Sequence, residues 1–208
     1  MNLLSRTLAG LLLVAISVSA QEQKPVVLPK PQTDGGKPLM QVLKERKSGR
    51  DFSPEKLPPQ MLSNLLWAAW GVNRPDGRRT APSASNRQEI DIYVATAEGL
   101  YLYNAKDHQL EPVLKEDIRA AAGRQPFVGQ APVNLIYVAD QAKMGRADDA
   151  MAYADTGLIS QNVYLYCASE GLATVVRGSV DRESLAKIMK LRPEQRITLA
   201  QTVGYPKK

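Results

Sequence analysis

Apolar and polar residues alternate at Ile90, Ile92 and Val94, break at Glu98-Gly99, and resume at Leu100 and Leu102. A period of two predicts a pair of hairpin strands. A helical period runs through Leu62, Leu65, Leu66 and Ala69, with Pro59 suited to the first turn and Gly71 at the end. A longer helical pattern spans Asp148 to Glu170, carries Met151, Ala154, Leu158, Leu165 and Ala168, and stops at Gly171. "PVNLIYVAD" is an unbroken apolar run of the kind found in strands covered on both faces.

Shorter signals fill the gaps. Leu39, Val42 and Leu43 predict a helix from Leu39 to Ser48, with Gly49 ending it in a left-handed conformation. "KEDIRAAAG" (115–123) reads as a short helix, "LATVVRG" as a strand, "DRESLAKIMKLRPEQ" as an Asp-capped helix and "RITLAQTVGYP" as a final strand. Residues 72–88 form a long polar loop, and loops of that length in a compact domain tend to be functional. Helices and strands mix without strict strand–helix–strand repetition, so the fold class is α+β.

The first 38 residues differ in character. Arg6 precedes an apolar run from Leu8 to Val18 that closes on Val18-Ser19-Ala20. This is the pattern of a cleaved secretory signal, with an uncleaved anchor as the alternative. Residues 21–38, rich in Pro, Gln, Lys and Gly, read as an extended leader arm packed loosely on the domain. The expected organisation is therefore 1–20 signal, 21–38 leader and 39–208 folded domain. Export to a bacterial periplasm follows, with no stable membrane span after cleavage.

Composition narrows the chemistry. The formal net charge is +6, and losing Arg6 with residues 1–20 leaves +5. A basic surface attracts nucleic acid, anionic membrane or anionic ligands. Export and the 6% aromatic content argue against a nucleic-acid partner. With one cysteine and one histidine, no intramolecular disulfide and no cysteine/histidine zinc site can form, and no other metal signature stands out. Cys167 reads as a packed small hydrophobe, His108 as an exposed turn residue, and Trp67 and Trp70 as core, Trp70 with a chance of reaching a pocket rim.

The glycine-rich phosphate loops G-x-G-x-x-G and G-x-x-x-x-G-K-[ST] are absent, as is the nucleophile elbow G-x-S-x-G. What remains is the basic knot "LKERKSGRDF". Two readings stand. Arg46 and Lys47 could be last-turn cations opposing a helix dipole. Alternatively, forked guanidinium donors from Arg46 and Arg50, with the Ser48 hydroxyl, could bind a phosphate.

"RKSGRDFS" resembles the R-R-S-x-R-x-F opening of the nitroreductase family of flavoproteins. "LPPQMLSNLLWAAWGVN" follows it, "TAPSASNRQEIDIYV" is similar to that family's P-S-x-x-N loop, and "DTGLISQNVYLYCASEGLATVVRG" and "TVGYPKK" complete the order. "GLYLYNAKDHQLEPV" resembles the branch of azoline-oxidising peptide dehydrogenases. The resemblance covers about residues 39–208.

The resemblance implies a central mixed or antiparallel sheet flanked by helices, and an intertwined homodimer with FMN at the interface. Arg46, Lys47 and Ser48 would face the phosphate or ribityl chain, with Lys47 standing where relatives have a second arginine. Arg50 would approach the pyrimidine edge, where a fixed cation stabilises the negative charge gained on reduction. Pro82, Ser83, Ala84 and Asn86 would come from the partner subunit, Ala84 replacing a common serine. Val176, Arg177 and Gly178 would pass the ring chiefly through backbone, and Lys207 and Lys208 would lie near the phosphate. Phe127 would line the substrate side.

The implied activity is ping-pong electron transfer from a small-molecule donor to nitroaromatic or quinone acceptors, with metal playing no part. A flavin-dependent dehydrogenase of a peptide or small molecule is the alternative, and a non-catalytic flavin- or ligand-binding protein is a third reading.

Overall fold

Seven strands hydrogen-bond side by side in one sheet, in the order β1-β4-β3-β2-β5-β7-β6, and every adjacent pair is antiparallel. The computed structural model describes residues 23–145 and 148–208. The signal expected over residues 1–20 lies outside the described residues.

The strands are β1 (Val26–Val27), β2 (Ile90–Thr96), β3 (Gly99–Asn104), β4 (Gln109–Leu114), β5 (Val133–Asp140), β6 (Ala173–Arg177) and β7 (Gln195–Gly204). The helices are α1 (Leu39–Glu45), α2 (Pro59–Trp70), α3 (Phe127–Gln130), α4 (Asp149–Glu170) and α5 (Arg182–Ile188).

Both faces of the sheet are covered, which is why every residue of β5 is buried and its sequence shows no alternation. On one face Ile92, Val94, Leu135, Tyr137 and Val203 pack against Leu65, Leu66 and Trp70 of α2 and Ile159, Val163 and Cys167 of α4. On the other, Tyr93, Ala95, Ile136, Val138 and Ala200 meet Leu185 of α5, Val128 of α3 and Ala122 of a 3₁₀ turn. The apolar sets of the two faces alternate along β2 and β5 because successive side chains leave a strand on opposite sides.

Several terminators act as the sequence suggests. Gly171 ends α4 with φ 72°, and Asp181 caps α5 by accepting from the Ser184 N–H at 3.1 Å. Others differ. α1 ends at Glu45, three residues before Ser48, and Gly49 is not left-handed. Gly49 is small for another reason: a Cβ there would lie 3.0 Å from the Ala173 Cβ, because its N–H donates to the Thr174 carbonyl at 2.9 Å. Gly71 likewise is extended, with its Cβ position blocked 2.3 Å from Trp67 Cδ1.

The predicted hairpin is a three-stranded meander, since β4 follows β3; its Pro112 and Lys115-Glu116 obscured the alternation. The predicted helix over 115–123 shrinks to a 3₁₀ turn at Arg119–Ala122.

The leader is not loose. Leu28 is buried, β1 pairs with β4, and the Gln32 and Lys37 N–H groups donate to Asn64 Oδ1 and Ser169 Oγ. His108 is not a free turn residue either: it is half-buried and bonded through both ring nitrogens.

Candidate active site

Residues 46–53 leave α1 as extended chain and run between β6 and the C-terminus. Gly49 bonds to Thr174, Phe52 bridges Pro206, the Ser53 N–H donates to the Tyr205 carbonyl at 2.9 Å, and the Lys207 N–H donates to the Asp51 carbonyl at 3.1 Å. Residues 46–53 are stitched here to two segments 125 or more positions further along the chain, so long-range pairing rather than local propensity fixes the basic knot. The last-turn role on a helix falls to Lys44 instead of Arg46 and Lys47.

A cleft of 690 Å³ opens along this seam, lined among others by Lys47, Gly49, Arg50, Tyr164, Thr174 and Lys207. Its cations outnumber its acids. Glu45 is taken by Lys37 at 2.7 Å, which holds its carboxyl below the usual range. Arg46, Lys47 and Arg50 form no ion pair among the described residues. Unpaired guanidinium groups beside an open cleft are donors awaiting an anion.

Tyr164 of α4, which lies within a segment that carries the resemblance but is not among the site residues it implies, ties the seam to the helix. Its phenol lies 2.9 Å from Ser48 Oγ and accepts from the Val176 N–H at 3.0 Å, while the Arg46 guanidinium stacks 5.1 Å from its ring centre. Only its place on the helix face toward β6 could have flagged it, and that is a tertiary fact.

Arg177 points the other way. It is buried and donates to the Ala122 carbonyl, Asn134 Oδ1 and Thr202 Oγ1, at 2.8, 3.2 and 3.2 Å. Burial pushes its guanidinium down to about 10. Its side chain braces the sheet, so toward the cleft Arg177 can offer only backbone. Gly178 is exposed, and a Cβ there would meet only Leu199 at 3.9 Å. Lys207 also lines a smaller cleft of 420 Å³ with Phe52, Arg119 and Gly129. Phe127 does not line that cleft; it packs on Phe52 with centroids 5.6 Å apart. Lys208 is exposed and lines neither. Trp70 is buried, with the Arg79 guanidinium 4.9 Å from its ring.

The 82–86 loop is not brought to this cleft in the same chain. The Ala84 N–H donates to Asp155 Oδ2 at 2.9 Å, nine residues before Tyr164 on α4, or about 13 Å along the helix axis. Pro82 and Asn86 are exposed, and Ser83 Oγ accepts from the Gln88 N–H at 2.9 Å. Ser85, Asn86 and Gln88 hold φ of 53°, 53° and 51°. Three left-handed non-glycine residues in one loop are strain of the kind that gathers at functional sites.

Beneath this loop Glu89 is fully buried, and neither carboxyl oxygen accepts a hydrogen bond from a donor. Its neighbour is the Asp155 carboxylate. Burial first, and Asp155 second, push the Glu89 carboxyl up to about 7.

The nitroreductase family model matches residues 43–205. The chain belongs to the nitroreductase family. A nitroreductase of Methanocaldococcus jannaschii is 33% identical over 168 residues, covering 74% of this chain and 85% of that protein. The crystal structure of a nitroreductase from Ralstonia eutropha aligns with TM-score 0.86 and 42% identity over 91% of this chain and 93% of that one. A nitroreductase of Desulfovibrio desulfuricans, solved in complex with FMN, shares the fold with TM-score 0.63 and 21% identity over 84% and 89% of the two chains. Membership makes this nitroreductase a flavin-dependent oxidoreductase with the α+β fold expected from its sequence. Among the described residues no helix is long and apolar enough to cross a membrane, and no group of metal-ligating side chains gathers.

Proposed function

We propose that this nitroreductase binds FMN in the 690 Å³ cleft and works as a homodimer, passing electrons from a small-molecule donor to nitroaromatic or quinone acceptors. The observation that carries the reading is the excess of cations lining the cleft, Lys47, Arg50 and Lys207 among them, with Arg46 and Ser48 held next to that lining by Tyr164 rather than forming part of it. That donor set fits an anionic nucleotide. Bound FMN would supply the redox chemistry, taking a hydride from the donor and returning electrons to the acceptor.

The chain's own residues do the rest. Arg46, Lys47 and Ser48, with Lys207 and Lys208, would hold the phosphate end. Arg50 places a positive charge at the pyrimidine edge, where it favours the anionic reduced ring. Backbone at Val176, Arg177 and Gly178 would pass one face of the bound ring and leave the other to substrate. Donor and acceptor use that open face in turn, which gives ping-pong kinetics.

The 82–86 loop, held away from the cleft of its own chain by Asp155, serves the cleft of a second subunit through Pro82, Ser83, Ala84 and Asn86. Exposed apolar side chains support the dimer: Leu39, Met40 and Leu43 on α1, and Met151 and Leu158 on α4, lie open in the single chain. The apolar run at residues 8–18 supports export, and with it a donor other than the cytoplasmic nicotinamide pool. The likeness of the β3–β4 hairpin to azoline-oxidising dehydrogenases supports a second reading, in which a peptide or small molecule is the electron donor.

The test is the visible spectrum and mass of the purified protein. A yellow dimer that retains FMN is expected. A colourless protein that cannot be loaded with FMN ends the proposal. Arg46→Ala should weaken FMN binding roughly ten- to hundredfold, the equivalent of about 1.5–3 kcal/mol for a charged hydrogen-bond set. Unchanged affinity would leave Arg46 a surface cation.

A further inference from the structure

Tyr164 holds both neutral and charged members of the proposed phosphate cradle. Its phenol oxygen accepts from the Val176 N–H at 3.0 Å. An accepting phenol still has one hydrogen to give, and Ser48 Oγ at 2.9 Å is the acceptor within reach. Given that direction, Ser48 receives the Tyr164 proton and keeps its own hydrogen for another partner. Ser48 is exposed, makes no other side-chain hydrogen bond among the described residues and sits in sequence between the cleft-lining Lys47 and Gly49, so with Tyr164 as donor that hydrogen is left for a partner outside the chain. The same ring carries the Arg46 guanidinium 5.1 Å from its centre, a stack that orients the fork without neutralising it.

We infer that Tyr164 is a positioning residue for the anion-binding end of the cleft: its hydroxyl commits Ser48 to donate outward, and its ring aims Arg46. The inference rests on the FMN reading and deepens it, since Ser48 and Arg46 address the phosphate, whereas Val176, whose N–H the same phenol accepts, belongs to the ring side. A residue that only supported the fold would affect all flavins alike.

The experiment measures FMN and riboflavin affinities by flavin fluorescence quenching, riboflavin being the same ring without the phosphate. Tyr164→Phe keeps the ring and removes the hydroxyl. It should weaken FMN about three- to tenfold and riboflavin by less, the riboflavin loss measuring the Val176 N–H left without its acceptor. In a Ser48→Ala background the excess loss for FMN over riboflavin should vanish, because the group it acts through is gone. Tyr164→Leu removes the platform as well and should cost more, the excess vanishing in an Arg46→Ala background.

Equal losses for FMN and riboflavin, or additive losses with Ser48→Ala, overturn the inference while the FMN reading stands. A wild-type protein that binds neither flavin overturns both. Should Tyr164→Phe not fold, 3-fluorotyrosine at position 164 alone keeps the hydroxyl. Its ¹⁹F resonance should shift on adding FMN to the otherwise wild-type protein and not to Ser48→Ala. An identical shift in both removes the link through Ser48.

Discussion

His108 Nε2 lies 2.7 Å from Ser63 Oγ, and the pair fixes the direction of a three-bond chain. The Ser63 hydroxyl donates to the Pro29 carbonyl at 2.5 Å, so its oxygen must accept from His108 Nε2–H. Nδ1 is then bare and accepts from the Tyr103 hydroxyl at 2.9 Å. The Leu28 N–H donates to the His108 carbonyl at 3.2 Å, so one histidine ties the leader to α2, β3 and β4.

The first prediction follows from that chain. Burial pulls the His108 imidazole below its ordinary value, so the folded protein resists a proton that the unfolded chain accepts. A base held low in the folded state keeps its contribution above the unfolded pKa, about 6.5, and loses it as pH falls below that point. As pH falls below about 6.5, the wild type should therefore lose melting temperature relative to His108→Gln measured at the same pH. His108→Ala should cost about 1–3 kcal/mol at pH 7.5, by leaving the Tyr103 hydroxyl without its acceptor, and should speed proteolysis within residues 23–38. A leader as resistant as in the wild type would show that the brace is idle.

Glu89 works in the opposite sense. A carboxyl raised to about 7 binds its proton more tightly in the folded state. Its contribution is complete below the unfolded value, about 4.3, and is lost as pH rises through 7. Glu89→Gln supplies a neutral donor toward Asp155 and should be more stable than wild type at pH 8, by about 1–3 kcal/mol, with little difference at pH 5. Equal stability at pH 8 would mean that Glu89 is not facing an ionised partner.

Gly49→Ala puts a methyl 3.0 Å from the Ala173 Cβ and sets the two bonded segments apart. Overpacking of this kind costs about 1–3 kcal/mol. The melting temperature should fall, and FMN affinity should fall with it because Ser48 and Arg50 move with residue 49. Wild-type affinity in a destabilised protein would separate the seam from the cleft.

Arg50→Ala should make the bound flavin harder to reduce, lowering its midpoint potential, while weakening FMN less than Arg46→Ala does. Spectroelectrochemical titration reads the potential directly. An unshifted potential would place Arg50 away from the ring.

The elements with strong local patterns were legible. Pro59, the Leu62–Ala69 stripe and the Gly171 stop need only their own neighbours in sequence, so α2 and α4 could be read almost to the residue. β4 and the 115–123 segment could not, because Pro112 and a run of charged residues give no period; their conformation is set by pairing with β3 and by packing of Ala122.

The candidate site divides the same way. Arg46, Ser48 and Arg50 were visible as residue types suited to an anion, yet the sequence left them as cations at a helix end or as a cradle. Tyr164 was invisible, since a tyrosine in an apolar helix looks like core.

By itself, then, the chain determined which residues could meet an anionic partner, and that its apolar periods would bury two faces of a sheet. Only the tertiary structure decided that residues 46–53 leave the helix, where Gly49 approaches β6 as no larger residue can and pairs its N–H with the Thr174 carbonyl. The direction of Ser48 and Arg46 was likewise decided in three dimensions, by a phenol 116 positions away.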